Sequence, residues 1–172
     1  KKSLIKDSSL KLSDVKIIDN YSPIKKIRDE VKTLLDDTNI ILPRGARLEI
    51  SHHYGLENFH KYGITMINII NHSYCKKLII MLPGQKHPAQ FHKVKEESFF
   101  VLHETINLSL DNKKYIMKPG DLKTIKRKMV HEFYSKDGAI IEEISTEHVK
   151  SDSYYLDKKI EDNKNRKSFI YL

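Results

Sequence analysis

Apolar positions recur at helical spacing once in this chain and at strand spacing many times afterwards. Ile24, Ile27, Val31, Leu34 and Leu35 share one stripe of a helix, and Ser22-Pro23 ahead of them offers a capping hydroxyl and a first-turn proline. The spacing predicts one amphipathic helix opening at Pro23. Ile40 to Leu42 and Ala46 to Ser51 read as short strands, and Gly55 to His60 as a helical turn. From Ile64 the texture changes. Ile64 to Ile70, Lys77 to Leu82, Gln90 to His92, Ser98 to His103, Ile106 to Leu110, Lys114 to Met117, Leu122 to Ile125, Val130 to Tyr134 and Ala139 to Ser145 are strand-like runs, punctuated by Pro83-Gly84, Asp111-Asn112, Pro119-Gly120 and Asp137-Gly138. Many short strands at this spacing predict an all-β antiparallel barrel or sandwich with minor helix. Residues 1–22 read as a linker or docked arm, 23–157 as the folded domain, and 158–172 as a polar C-terminal tail.

Composition narrows the class. A chain of 172 residues suits one domain with a real core. Cys75 is the only cysteine and no CxxC occurs, so an internal disulfide is excluded and a cytoplasmic location is expected. No apolar run approaches the roughly 18 residues that span a bilayer, and the start, Lys1-Lys2-Ser3, reads as a cut from a longer polypeptide. Net charge is +8, but 31 basic residues face 23 acidic ones and the lysines are scattered, which argues against a nucleic-acid partner. Lys126-Arg127-Lys128 leaves two readings open: a solvated rim, or an attractant for a phosphorylated or carboxylated small molecule.

The chemistry lies in a spaced frame. Gly84 is followed by five residues and Gln90, one residue and His92, four residues and Glu97; Pro119-Gly120-Asp121 comes later, and His131 lies eleven residues beyond Gly120. Alternate residues on one sheet face can bring two such clusters together. Imidazole with carboxylate is a donor set for Mn, Fe, Ni or Zn rather than Mg or Ca. His92, Glu97 and His131 are the expected ligands, Gln90 adds a weak amide oxygen, and His87 beside Pro88 is a further candidate. Hydrogen-bonded interior histidines without a metal are the alternative.

The frame resembles the two motifs of the cupin superfamily. Gly84, His92 and Glu97 keep the first motif, with Gln90 in place of its first histidine; Gly120 and His131 keep the second, with Lys126, Lys128 and Ser135 replacing proline, glycine and asparagine. The resemblance implies a jelly-roll barrel, a divalent transition metal and a homodimer. Residues 90–97, with Lys95 and Glu97, are similar to the lyxose ketol-isomerase type, and residues 42–157 look like the cupin domain appended to sialic-acid-type synthases. That likeness implies a sugar or sugar phosphate isomerised or epimerised through an enediol, with Glu143 as base and Lys95 as acid, its pKa lowered by metal charge and burial. Phe133, Asp152 and Tyr154 are the expected sugar contacts. A non-catalytic sugar-binding module is the competing reading, favoured by Gln90, and an iron-dependent dioxygenase is a third.

Overall fold

Period-two alternation becomes two antiparallel sheets because each strand has one face to bury. The computed structural model describes residues 12–149 and 151–172, with side chains from residue 23 onward. A helix α1 (Leu12–Asp36) precedes β1 (Arg47–His52), a 3-10 turn (Leu56–Asn58), α2 (Phe59–Tyr62), β2 (Gly63–Asn71), β3 (Tyr74–Met81), β4 (Lys86–Phe91) and β5 (Glu97–His103). Then come β6 (Ile106–Leu110), β7 (Lys113–Met117), β8 (Leu122–Ile125), β9 (His131–Tyr134), β10 (Ala139–Thr146), β11 (Tyr154–Tyr155), α3 (Lys158–Asp162) and β12 (Lys167–Tyr171). One sheet runs β12-β1-β2-β3-β10-β5-β8 and the other β11-β4-β9-β6-β7. The result is a jelly roll with an N-terminal helix.

Each face of the larger sheet builds its own core. Leu48, Ile50, Ile67, Leu78, Ile80 and Ile140 point outward and pack under Ile24, Ile27, Val31 and Leu35 of α1. Ile64, Ile79, Met81, Phe99, Val101 and Ile141 point inward against Leu108, Leu110 and Phe133 of the smaller sheet. At the β6–β7 hairpin Asp111 and Asn112 both take positive φ, 45° and 68°, as a primed two-residue turn requires.

The inner face of the large sheet is one continuous surface. Phe169 pairs with Glu49, Glu49 with Met66, and Met66 with Ile79; alongside, Asn68 pairs with Lys77, Lys77 with Glu143, and Glu143 with Phe99. One row of side chains therefore leads from the interior of the sandwich out to β1 and β12.

Three expectations change. The helix begins at Leu12, so Pro23 lies inside it instead of in its first turn. Proline's fixed φ is helical, and a helix can absorb its missing N–H and the crowding of its ring on the preceding turn, so it need not mark a helix start. Residues 1–11 of the expected arm lie outside the described residues. Ile40 to Leu42 form no strand: they have no ladder partner, Ile41 is 93% exposed, and Ile40 and Leu42 pack against the α1 core. The polar stretch 158–172 is α3 and β12, and β12 extends the large sheet by pairing with β1 from Arg47↔Tyr171 to Ser51↔Lys167.

Candidate metal centre

Three strand ends converge on one point. Gln90 of β4 and His131 of β9 are register partners, His92 follows β4 directly, and Glu97 opens β5. All four are buried. The His131 Nδ1–H donates to the Met129 carbonyl at 3.2 Å, and the His92 Nδ1–H donates to the Asp152 carbonyl. A carbonyl only accepts, so both rings carry a proton on Nδ1 and turn Nε2 towards the centre. These two nitrogens lie 3.1 Å and 3.5 Å from the same atom, Glu97 Oε1, and His131 Nε2 also meets the Gln90 amide nitrogen at 3.3 Å.

That arrangement is one that could hold a cation. His92 Nε2, Glu97 Oε1 and Gln90 Oε1 are buried with no hydrogen-bond partner, and the ligand atoms of His92, Glu97 and His131 all fall within 4.8 Å of one another. Two imidazoles and a carboxylate fit a transition-metal ion. Burial lowers the His131 pKa, an effect that outweighs the pull of Glu97 and keeps the ring neutral for such an ion.

Glu97 has two faces. Its Oε1 turns to the histidines and its Oε2 contacts Lys95 Nζ. Lys95 reaches on to Glu143 Oε1 at 2.8 Å, where Ser145 Oγ donates at 3.2 Å and Lys77 Nζ at 3.5 Å. Lys77, Glu143, Lys95 and Glu97 thus form a buried chain of alternating charge. Burial opposes the charge on Glu97 and Glu143, but Lys95 with His92 and His131 outweighs it at Glu97, and Lys95 with Lys77 outweighs it at Glu143, so both pKa values are held down. Burial opposes the Lys95 ammonium as well, yet Glu143 and Glu97 prevail and raise its pKa. This reverses the lowering expected from sequence, because Lys95 is flanked by two carboxylates. Glu143 points inward, while Glu142 points out to Lys76 at 3.1 Å.

The other anticipated residues divide. Phe133 lines the chamber and stacks on His87, with centroids 4.7 Å apart and planes 3° apart. His87 is also in the wall, but it is not one of the three residues that converge. Asp152 and Tyr154 are not among the residues that line the chamber. Tyr154 stacks on Phe91 at 5.2 Å under the Lys93 ammonium. Asp152 instead organises the loop between the ligands. Its carboxylate accepts from the backbone N–H groups of Lys93, Val94 and Lys95 at 2.9, 3.1 and 2.7 Å, and its carbonyl orients His92. Asp152→Ala is expected to weaken metal binding by about 10- to 100-fold without removing a ligand, the usual effect of losing an orienting partner. Competition titration against a chromogenic chelator measures it.

The chamber has about 50 Å³ of open space and is lined by His92 and Glu97 together with Lys95, Lys77 and Glu143. It opens into a wider vestibule of about 700 Å³, and Glu49, Met66, Lys77, His148 and Lys167 border both spaces. Sequence reading missed Lys77, whose inward place follows from its register opposite Glu143. It also missed Glu49, His148 and Lys167, which no spacing connects to the motif.

Beneath the chamber His53 donates from Nδ1 to the Tyr62 carbonyl at 2.6 Å and accepts at Nε2 from the Tyr155 hydroxyl at 3.0 Å. Burial, against the help of that carbonyl, lowers its pKa to about 4. In the unfolded chain His53 takes up a proton near pH 6.5, but the folded chain resists until about 4. Its contribution is therefore complete above pH 6.5 and lost as pH falls towards 4, roughly 3 kcal/mol in all. Urea unfolding from pH 7 to pH 4.5 should show stability falling steadily, with a shallower slope in His53→Gln.

Residues 77–142 match the model of the cupin domain family. No curated protein matches the chain. Among solved structures, L-ribose isomerase of Cellulomonas parahominis, in a structure with L-psicose, superposes with a TM-score of 0.67 at 13% identity over 82% of this chain and 94% of that one. The same enzyme with L-ribose gives a TM-score of 0.60 at 14% identity over 66% and 81%. The fold is therefore that of the cupins, with sugar isomerases among its structural neighbours. Among the described residues no helix is long and apolar enough to cross a membrane.

Proposed function

We propose that this chain is a metal-dependent sugar isomerase or epimerase, moving a proton between adjacent carbons of a small aldose or ketose through an enediol. The observation that carries the reading is the shared chamber: the candidate ligands His92 and Glu97 line it, with His131 converging on them, and the buried carboxylate of Glu143 lines it beside Lys95. A bound Mn, Fe, Ni or Zn ion would supply Lewis-acid polarisation of the carbonyl and its neighbouring hydroxyl. Glu143, ionised because Lys95 and Lys77 outweigh its burial, takes the proton from one carbon and returns it to the next. Lys95 remains an ammonium and stabilises the developing oxyanion or donates to it. Phe133 and Phe99 offer apolar faces to sugar C–H groups. The likeness to an L-ribose isomerase supports this substrate class.

The experiment is incubation of the Mn-loaded chain with a panel of aldoses and ketoses in deuterium oxide, followed by NMR. Deuterium at the carbon beside the carbonyl supports the reading, and its absence across the panel rejects it. Gln90, which stands where a third imidazole would strengthen the site, favours a second reading as a non-catalytic sugar-binding module. Calorimetric affinity for a sugar without exchange would establish that alternative.

A further inference from the structure

Space in the inner chamber suffices for the reacting end of a sugar and not for the whole molecule, so the remainder must extend into the vestibule. The vestibule is built from the outer continuation of the large sheet's inner face, where β1 and β12 lie side by side. Its walls include Arg47, Lys164, Arg166 and Lys167 against a single carboxylate, Glu49. Lys167 is paired with Glu49 at 2.5 Å, and among the described residues no carboxylate comes within salt-bridge distance of the other three. Arg47 lies 4.3 Å over the Phe169 ring, which fixes its guanidinium at the rim. Arg166 is anchored through Nη1 to the carbonyls of Ile160 and Asn163, at 3.4 and 3.0 Å, and its buried Nε has no hydrogen-bond partner.

We infer that the vestibule is an anion subsite and that the substrate is an acidic sugar, bearing its phosphate or carboxylate at the end remote from the carbonyl. The inference rests on the isomerase reading for the reacting end alone. Guanidinium and ammonium groups placed without local carboxylates recognise phosphate or carboxylate oxygens by charge-assisted hydrogen bonds. They also draw anionic ligands towards the mouth, where the narrow chamber rewards the correct orientation.

The test is calorimetric binding to the full Mn-loaded chain of D-ribose, D-ribose 5-phosphate and D-riburonate, which carries its carboxylate at C5, repeated with the double variant Arg47→Gln, Lys164→Gln. Both residues are exposed, so the variant should fold normally. The anionic ligands are expected to bind at least about tenfold more tightly than ribose, with the preference shrinking as salt is raised and collapsing in the variant. A preference for the phosphate over riburonate names a phosphomonoester as the source of charge, and equal preference names any terminal anion. Equal affinity for neutral and charged ligands, no binding of any ligand, or a preference untouched in the double variant would overturn the subsite. Attraction of phosphate by Mn itself is separated by that last comparison. If no sugar exchanges deuterium but the salt-sensitive, variant-sensitive preference persists, the isomerase reading falls and the anion subsite stands.

Discussion

Glu143→Gln is expected to reduce solvent-deuterium exchange into the substrate by about 10²- to 10⁴-fold, the usual contribution of a positioned base. The substituted amide keeps the shape of the carboxylate but has no lone pair basic enough to take a carbon-bound proton. It also leaves Lys77 and Lys95 with one fewer counter-charge in a buried place, and breaking such a pair commonly costs about 3–5 kcal/mol. Activity loss is therefore measured beside metal content and thermal unfolding. A variant that folds, holds its metal and exchanges at the wild-type rate would remove Glu143 from the chemistry. Glu142→Gln, on the outer face against Lys76, is the matched control and should exchange normally.

His131→Ala is expected to take the metal content of the purified chain from stoichiometric to undetectable. Among the described residues the centre offers three converging donors of the usual metal-binding types, with an amide at its edge. Losing one imidazole leaves His92 and Glu97, too few to hold an ion against water. Elemental analysis after dialysis decides it. Full metal content in this variant would mean that the ion sits elsewhere. Because a ligand bound only by the folded state stabilises it, wild-type unfolding temperature should rise with added Mn or Zn and that of His131→Ala should not.

Much of this was legible before any coordinates. Strands β2, β3 and β5 to β10 follow the runs of apolar residues because each buries one face against a neighbour and the turn dipeptides set their ends, whereas β4 runs Lys86–Phe91 and not over Gln90 to His92, since its few apolar residues do not alternate cleanly. The converging triad was legible for the same reason: register partners on facing strands share a side, and His92, Glu97 and His131 lie in a spaced frame that tolerates little drift. What escaped depends on partners distant in sequence. The charge state of Lys95 is set by Glu143, and the work of Asp152 is set by three amides of another loop. Neither partner leaves a mark on the local sequence. Likewise β12 has too few apolar residues to announce a strand, and it forms because β1 presents an open edge.

That last pairing has a kinetic side. Arg47 meets Tyr171 in the ladder, so this edge of β1 must wait until Tyr171 has left the ribosome. At ordinary rates of synthesis the wait is on the order of ten seconds. Throughout it one edge of a strand with Leu48 and Ile50 on one face has unpaired amides, which leaves nascent β1 open to intermolecular pairing.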